Sequence, residues 1–201
     1  MKIEYFYSVV SPFAYLGSLK FQEIAKKYNA EIIEKPCDLV GGIFPKTGGI
    51  PVPQRSPERQ KYRLVELKRW SDFLQIKMNI QPKYFPPKDP HLPAKFTIAA
   101  NQLGVKILFG QELLTQLWSE EKDIADKKNI EEASKKFKLD FKALNDLANS
   151  EKVSKIYKEN TEEAISKNVF GAPTYVFNNE LFWGQDRLEF LEMSLKNLQD
   201  D

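Results

Sequence analysis

Strand-forming sequence is confined to the two ends of this chain, and a long block of helical periodicity separates them. Residues 2–10 carry β-formers, and from Pro12 the apolar residues Phe13, Leu16, Leu19, Phe21, Ile24 and Ala25 recur at helical spacing as far as Tyr28-Asn29. Glu31-Ile32-Ile33-Glu34 reads as a second short strand, parallel to the first because a helix connects them. At the other end, Thr174-Tyr175-Val176-Phe177 and Glu180-Leu181-Phe182-Trp183 flank Asn178-Asn179. Asparagine tolerates the positive φ of a tight turn, so this is an antiparallel hairpin. Gly184-Gln185-Asp186 then opens a last helix, with Asp186 as its N-cap or first-turn acid.

Between these ends, helical spacing recurs over residues 58–74, 94–103, 107–119, 129–137, 140–148 and 152–167. Two stretches interrupt it. Residues 39–57 are dense in glycine and proline and read as a long loop without an element, and residues 82–93 as a Pro-rich loop that contains His91. The order βαβ, helical block, ββα predicts an α/β chain with a thioredoxin-like fold and a helical insertion domain. Residues 1–57 and 168–201 form the thioredoxin-like part, and residues 58–167 the insertion.

The chain has 201 residues, 42% of them hydrophobic, enough to bury a real core. Thirty basic residues against 28 acidic ones give a formal charge of +2, so no net field exists to collect nucleic acid or anionic lipid. Small-molecule or protein partners are expected instead. Met1-Lys2-Ile3-Glu4-Tyr5-Phe6 alternates like a strand and lacks a signal-type apolar region, and no stretch is long enough to span a bilayer, so the expected location is cytoplasmic. Cys37 is the single cysteine, which excludes an intramolecular disulfide and a Cys-x-x-Cys redox pair. Between Pro36 and the apolar Leu39-Val40 it reads as a semi-buried strand-end residue.

Two separated segments carry candidate chemistry. Tyr7-Ser8-Val9-Val10-Ser11-Pro12 delivers a serine and a proline to a helix start, and Val169-Phe170-Gly171-Ala172-Pro173-Thr174 places a proline just before a strand. The first amides of a helix lack intrahelical partners and its N-terminus is positive, so an anion or thiolate is stabilised there. Alone, Ser11-Pro12 also reads as a plain N-cap with proline at the first helical position.

Four motifs in order add to that reading: Ser11-Pro12-Phe13-Ala14-Tyr15-Leu16-Gly17; Leu39-Val40-Gly41-Gly42-Ile43-Phe44 with Thr47-Gly48; Val169-Phe170-Gly171-Ala172-Pro173-Thr174; and Phe182-Trp183-Gly184-Gln185-Asp186-Arg187-Leu188. Together they resemble the 2-hydroxychromene-2-carboxylate isomerase and kappa-class glutathione transferase family, within the DsbA-like thioredoxin superfamily. The resemblance implies glutathione as cofactor and Ser11 as the catalytic residue, bonding the sulfur and favouring its thiolate. It implies that Ala172, before a cis Pro173, pairs its backbone with the cysteinyl part of glutathione, and that Gln185 and Asp186 hold the γ-glutamyl end. It also implies a homodimer and a small aromatic or electrophilic substrate.

One departure stands out: such proteins commonly carry Asn after the Thr/Ser-Gly of the long loop, where this chain has Gly49. Around that loop, Lys46, Arg55, Arg59 and Lys61 are candidate cations for a carboxylate of glutathione or of an acidic substrate, or else ordinary solvated charges. Phe44, Trp70, Tyr84, Phe85, Trp118 and Trp183 either line an apolar cleft or pack the core. No metal site is expected, because His91 has no companion at ligand spacing. The expected activity is isomerase or transferase, with a non-catalytic binding module as the third reading. Thiol-disulfide exchange has no intramolecular route, since Ser11 and Ala14 occupy the places of both redox cysteines.

Overall fold

The computed structural model describes residues 1–200. Its strands β1 (Lys2–Tyr7), β2 (Glu31–Pro36), β3 (Thr174–Phe177) and β4 (Glu180–Trp183) form one mixed sheet in the order β2-β1-β3-β4. Strand β1 (Lys2–Tyr7) runs parallel to β2 (Glu31–Pro36) through helix α1 (Pro12–Lys27), as a βαβ crossover requires. On its other side β1 pairs antiparallel with β3 (Thr174–Phe177), Tyr5 opposite Tyr175, and β3 turns through Asn178 and Asn179, both at positive φ, into β4 (Glu180–Trp183). The two ends of the chain thus meet in the middle of the sheet. Strand β1 stops at Tyr7 rather than Val10, because the chain turns there and Ser11 N–H donates to Ser8 C=O at 2.9 Å.

Alternation along β1 decides what each face buries. Ile3, Tyr5 and Tyr7 join the larger apolar cluster, which takes in Phe21 and Ile24 of α1 and Leu191 and Leu195 of the last helix. Tyr5 stacks on Tyr7 at 4.3 Å between ring centroids and on Tyr175 at 5.3 Å. Phe6 points the other way, into a smaller cluster with Cys37, Ile43, Ala164 and Val176. Cys37 is therefore fully buried rather than semi-buried. Its thiol lies 3.5 Å from Tyr7 C=O, and burial pushes its pKa up to about 12.

Between β2 and β3 the chain is helical: α2 (Phe44–Thr47), α3 (Pro57–Phe73), α4 (His91–Gln102), α5 (Leu108–Trp118), α6 (Lys127–Lys136), α7 (Phe141–Ala148) and α8 (Glu151–Ser166), with α9 (Leu188–Asp200) closing the fold. Several starts are set by side-chain caps, Asp126, Asp140 and Ser150 accepting from the amides of Lys128, Ala143 and Val153. Trp118, Phe96, Phe109 and Leu113 extend the larger cluster from the sheet into these helices. Among the described residues, no helix is long and apolar enough to cross a membrane.

Two local expectations are corrected, and a third is decided between its alternatives. Residues 39–57 are not an element-free loop. Asp38 accepts from Gly41 N–H and caps a π-turn over Leu39–Ile43, α2 follows, and Val52–Gln54 forms a 3-10 turn. His91 begins α4 rather than lying in the preceding loop, since Asp89 Oδ1 accepts from the amides of both His91 and Leu92. Pro93 is tolerated there because first-turn amides need no intrahelical acceptor. Of the two readings of Asp186, the first-turn acid holds and the N-cap does not. Gly184 holds that position ahead of a 3-10 turn over Gln185–Arg187, which leads into α9.

Candidate functional site

Ser11 is fixed by its own helix and by the opposite end of the chain. As N-cap of α1 it has extended backbone angles, and its Oγ accepts from Ala14 N–H at 3.2 Å. Its hydroxyl donates across 161 residues to the carbonyl of Ala172 at 3.4 Å, a long bond. The Ala172–Pro173 peptide is cis. Pro173 C=O accepts from Gly184 N–H at 2.9 Å, and Thr174 Oγ1 donates to Gly171 C=O at 2.8 Å, so the turn carrying Ala172 is tied to the hairpin. Ser11 thus combines a positive helix start, a loosely held proton and a rigid frame.

A cleft of about 350 Å³ opens over this pair. Ser11, Pro12 and Ala172 lie on one side of it, and Leu39, Phe44 and the segment Gly49 to Val52 form another wall. Phe170 and Trp183, edge to face at 4.7 Å and about half exposed, stand beside Ala172. Arg55, Arg59, Arg63 and Phe85 also line the cleft. Among the described residues, none of these arginines pairs with a carboxylate, and no acidic residue lines the cleft. Arg55 Nε donates to Ile50 C=O at 2.8 Å. Arg63 lies under Phe85 and Trp118, its guanidinium 5.1 and 5.9 Å from their ring centroids, and its Nη2 is buried without an acceptor. Burial first, and the like charge of Arg55 second, lower the Arg63 pKa to about 10, so it stays a cation at neutral pH.

A second hollow of about 280 Å³ shares Phe13, Ala172 and Trp183 with the cleft. It is lined further by Glu66, Trp70, Gln185 and Asp186. Gln185 is buried at its rim, whereas Asp186 is exposed and its Oδ2 lies 2.6 Å from Arg187 Nη1.

The fold therefore brings Ser11, Ala172, Gly49 and Arg55 to one cleft and Gln185 and Asp186 to the hollow beside it. Pro173 is buried and lines neither. Lys46, expected as a loop cation, is exposed and lines neither as well, and the same holds for Lys61. Gly49 has a steric reason: a Cβ there would fall 2.0 Å from Cδ1 of Phe44, so this chain fills with Phe44 the space in which an Asn side chain would begin. Of the aromatic candidates, Phe44, Phe85 and Trp183 line the cleft and Trp70 the hollow, while Trp118 is fully buried core. Sequence reasoning missed Arg63. Its signal was the four-residue spacing of Arg55, Arg59 and Arg63.

The chain matches the family described as DSBA-like thioredoxin domain over residues 2–196. It is 24% identical over 193 residues to a 2-hydroxychromene-2-carboxylate isomerase of Sphingobium xenophagum, covering 96% of this chain and 97% of that one. Against glutathione S-transferase kappa 1 of Rattus norvegicus it is 27% identical over 201 residues, covering 94% and 88%. A solved 2-hydroxychromene-2-carboxylate isomerase structure superposes with a TM-score of 0.83 at 23% identity, covering 98% of this chain and 96% of that one.

Proposed function

The chain belongs to the DSBA-like thioredoxin domain family, and from that premise we propose that it is a glutathione-dependent enzyme of the 2-hydroxychromene-2-carboxylate isomerase type, with Ser11 as its catalytic residue. The carrying observation is the Ser11 hydroxyl, whose long bond to Ala172 C=O leaves its proton free to be redirected into the cleft. When bound, glutathione supplies a thiolate that adds reversibly to an unsaturated aromatic acid and leaves unchanged, so a double bond can rotate.

The protein's share follows from its own groups. Ser11 O–H donates to the sulfur, and the start of α1, which lines the cleft, adds a positive field, both of which lower a thiol pKa. Because Ser11 Oγ already accepts from Ala14 N–H, its remaining hydrogen is the one it offers. The Ala172 backbone holds the cysteinyl part in strand fashion, and Gln185 and Asp186 receive the γ-glutamyl end in the adjoining hollow. Arg59, exposed on the cleft rim, is free to meet a glycyl carboxylate. The walls of Phe44, Phe170 and Trp183 exclude water from a flat substrate. A kappa-type transferase is the second reading, favoured by the kappa relatives, since the same thiolate attacking an electrophile needs no other residue. In either case we expect a cytoplasmic homodimer, which fractionation and light scattering would check.

Two measurements test the reading. Titration of the protein with glutathione near pH 7 should raise the thiolate absorbance in the ultraviolet, and turnover should appear on a hydroxychromene carboxylic acid, a chloronitroarene, or both. Glutathione binding without either turnover would leave only a binding module.

A further inference from the structure

Arg63 has no task in the reaction so far. It is nonetheless an unusual charge: half-buried on α3, its Nη2 enclosed with no acceptor among the described residues, its guanidinium 5.1 and 5.9 Å from the ring centroids of Phe85 and Trp118. A desolvated cation without an anion is costly, and proteins seldom keep one unless something else brings the anion. Among the described residues no carboxylate lines the cleft, and Glu58 and Glu66, which border an adjoining hollow with Arg55, Arg59 and Arg63, form no ion pair with these arginines. Arg55 adds a second positive charge close enough to be felt at Arg63, and among the described residues only its Nε is occupied, by Ile50 C=O. Both terminal nitrogens of Arg55 are therefore available.

We propose that Arg63 and Arg55 form an acid-binding subsite that selects electrophiles bearing a carboxylate on a flat apolar body. The subsite rests on the reading of the cleft as an electrophile site, and it assigns specificity to Arg63 of α3 and Arg55 just before it rather than to Lys46 of α2. The chemistry is a fork of guanidinium donors meeting a planar carboxylate, which a lysine cannot reproduce. Phe85 and Phe44, which line the same cleft, supply apolar surface for the ring that carries the acid. Arg63 acts here by direct contact with substrate, while its packing under Trp118 keeps the guanidinium in place.

The test uses 4-chloro-3-nitrobenzoate and its uncharged methyl ester as probes, each titrated into the full-length protein without glutathione and followed by tryptophan fluorescence or calorimetry. Wild type should bind the acid about tenfold or more tightly than the ester, with the preference shrinking as salt rises. Arg63→Met should bring acid and ester to within about twofold of each other, and Arg63→Lys should recover only part of the preference. Affinity for glutathione, measured in parallel, should stay within about twofold of wild type in both variants. If Arg63→Met proves too unstable to study, Arg55→Gln should show the same loss of preference from a more exposed position.

Equal binding of acid and ester by wild type, or a preference untouched in Arg63→Met and Arg55→Gln, would overturn the subsite. The glutathione titration keeps this separate from the functional reading. Wild type that prefers the acid but binds no glutathione supports the subsite and sinks the thiolate mechanism. Wild type that binds glutathione and turns over neutral and acidic electrophiles alike does the reverse.

Discussion

Ser11→Ala is expected to lower kcat/KM for glutathione-dependent turnover about 10²- to 10³-fold, the usual effect of removing one donor aimed at a developing or resident anion. The fold should survive, because losing a serine cap costs about 1 kcal/mol. Two bonds vanish, from Ala14 N–H to Oγ and from Oγ–H to Ala172 C=O, and neither holds the sheet together. The Ser11 contribution should be visible before any chemistry, as a raised pKa of bound glutathione followed by its thiolate absorbance. A Ser11→Ala protein as active as wild type, with an unchanged thiolate pKa, would remove Ser11 from the mechanism.

Gly110→Ala should be among the most damaging single methyl additions in the chain. A Cβ at Gly110 would fall 2.0 Å from Tyr7 Oη and 2.8 Å from Glu34 Oε1. Those two atoms are joined by a buried hydrogen bond of 2.5 Å, and Glu34 also accepts from Ile107 N–H at 2.8 Å. Helix α5 thus approaches the sheet so closely that only glycine fits above the pair. Overpacking together with separation of the buried phenol and carboxyl should cost about 4 kcal/mol, or roughly 10 °C in Tm for a chain of this size.

Glu34 carries a pH signature of its own. Burial raises its pKa from 4.5 to about 7, although hydrogen bonds from Tyr7 and Ile107 act to lower it. A raised carboxyl pKa means that the folded state binds more protons than the unfolded chain between those two values. Stability therefore falls as pH rises from about 4.5 to 7, by on the order of 3 kcal/mol, and Glu34's contribution levels off above that. Glu34→Gln should remove this slope, and denaturant melts at pH 5 and pH 8 would show it. A slope unchanged in Glu34→Gln would assign it to other groups.

The βαβ start and the closing hairpin could be read from sequence because their signals are local. Alternation, a connecting helix and Asn178-Asn179 each act within a few residues. The turns of residues 39–57 could not, because segments of three to five residues leave no period, and what nucleates them is a single Asp38 carboxylate and well-placed prolines. The Ser11 half of the site was visible as a cap, and its partner Ala172 as the residue before a proline. Their meeting depends on β1 pairing with β3, which no local pattern shows. Arg63 was hidden for a different reason. It lies in a helix rich in Lys and Arg, where every charge looks solvated, and only burial under Phe85 and Trp118 sets it apart. The Tyr7–Glu34 contact was equally silent, since it joins neighbouring strands from positions 27 residues apart.

The separation of Ser11 from Ala172 also bears on how the molecule comes into being. A ribosome releases the strand and helix that carry Ser11 well before the Ala172 turn, Gln185 and Asp186. Strand β1 must wait, one edge unpaired, through the emergence of the entire helical block before β3 arrives. A chain cut short before Phe170 keeps Ser11 and the wall of Leu39, Phe44 and Gly49 to Val52 but lacks Phe170, Ala172 and Trp183. Premature termination is therefore expected to leave fragments without the Ser11–Ala172 pair, whose unpaired β1 edge invites pairing with another chain.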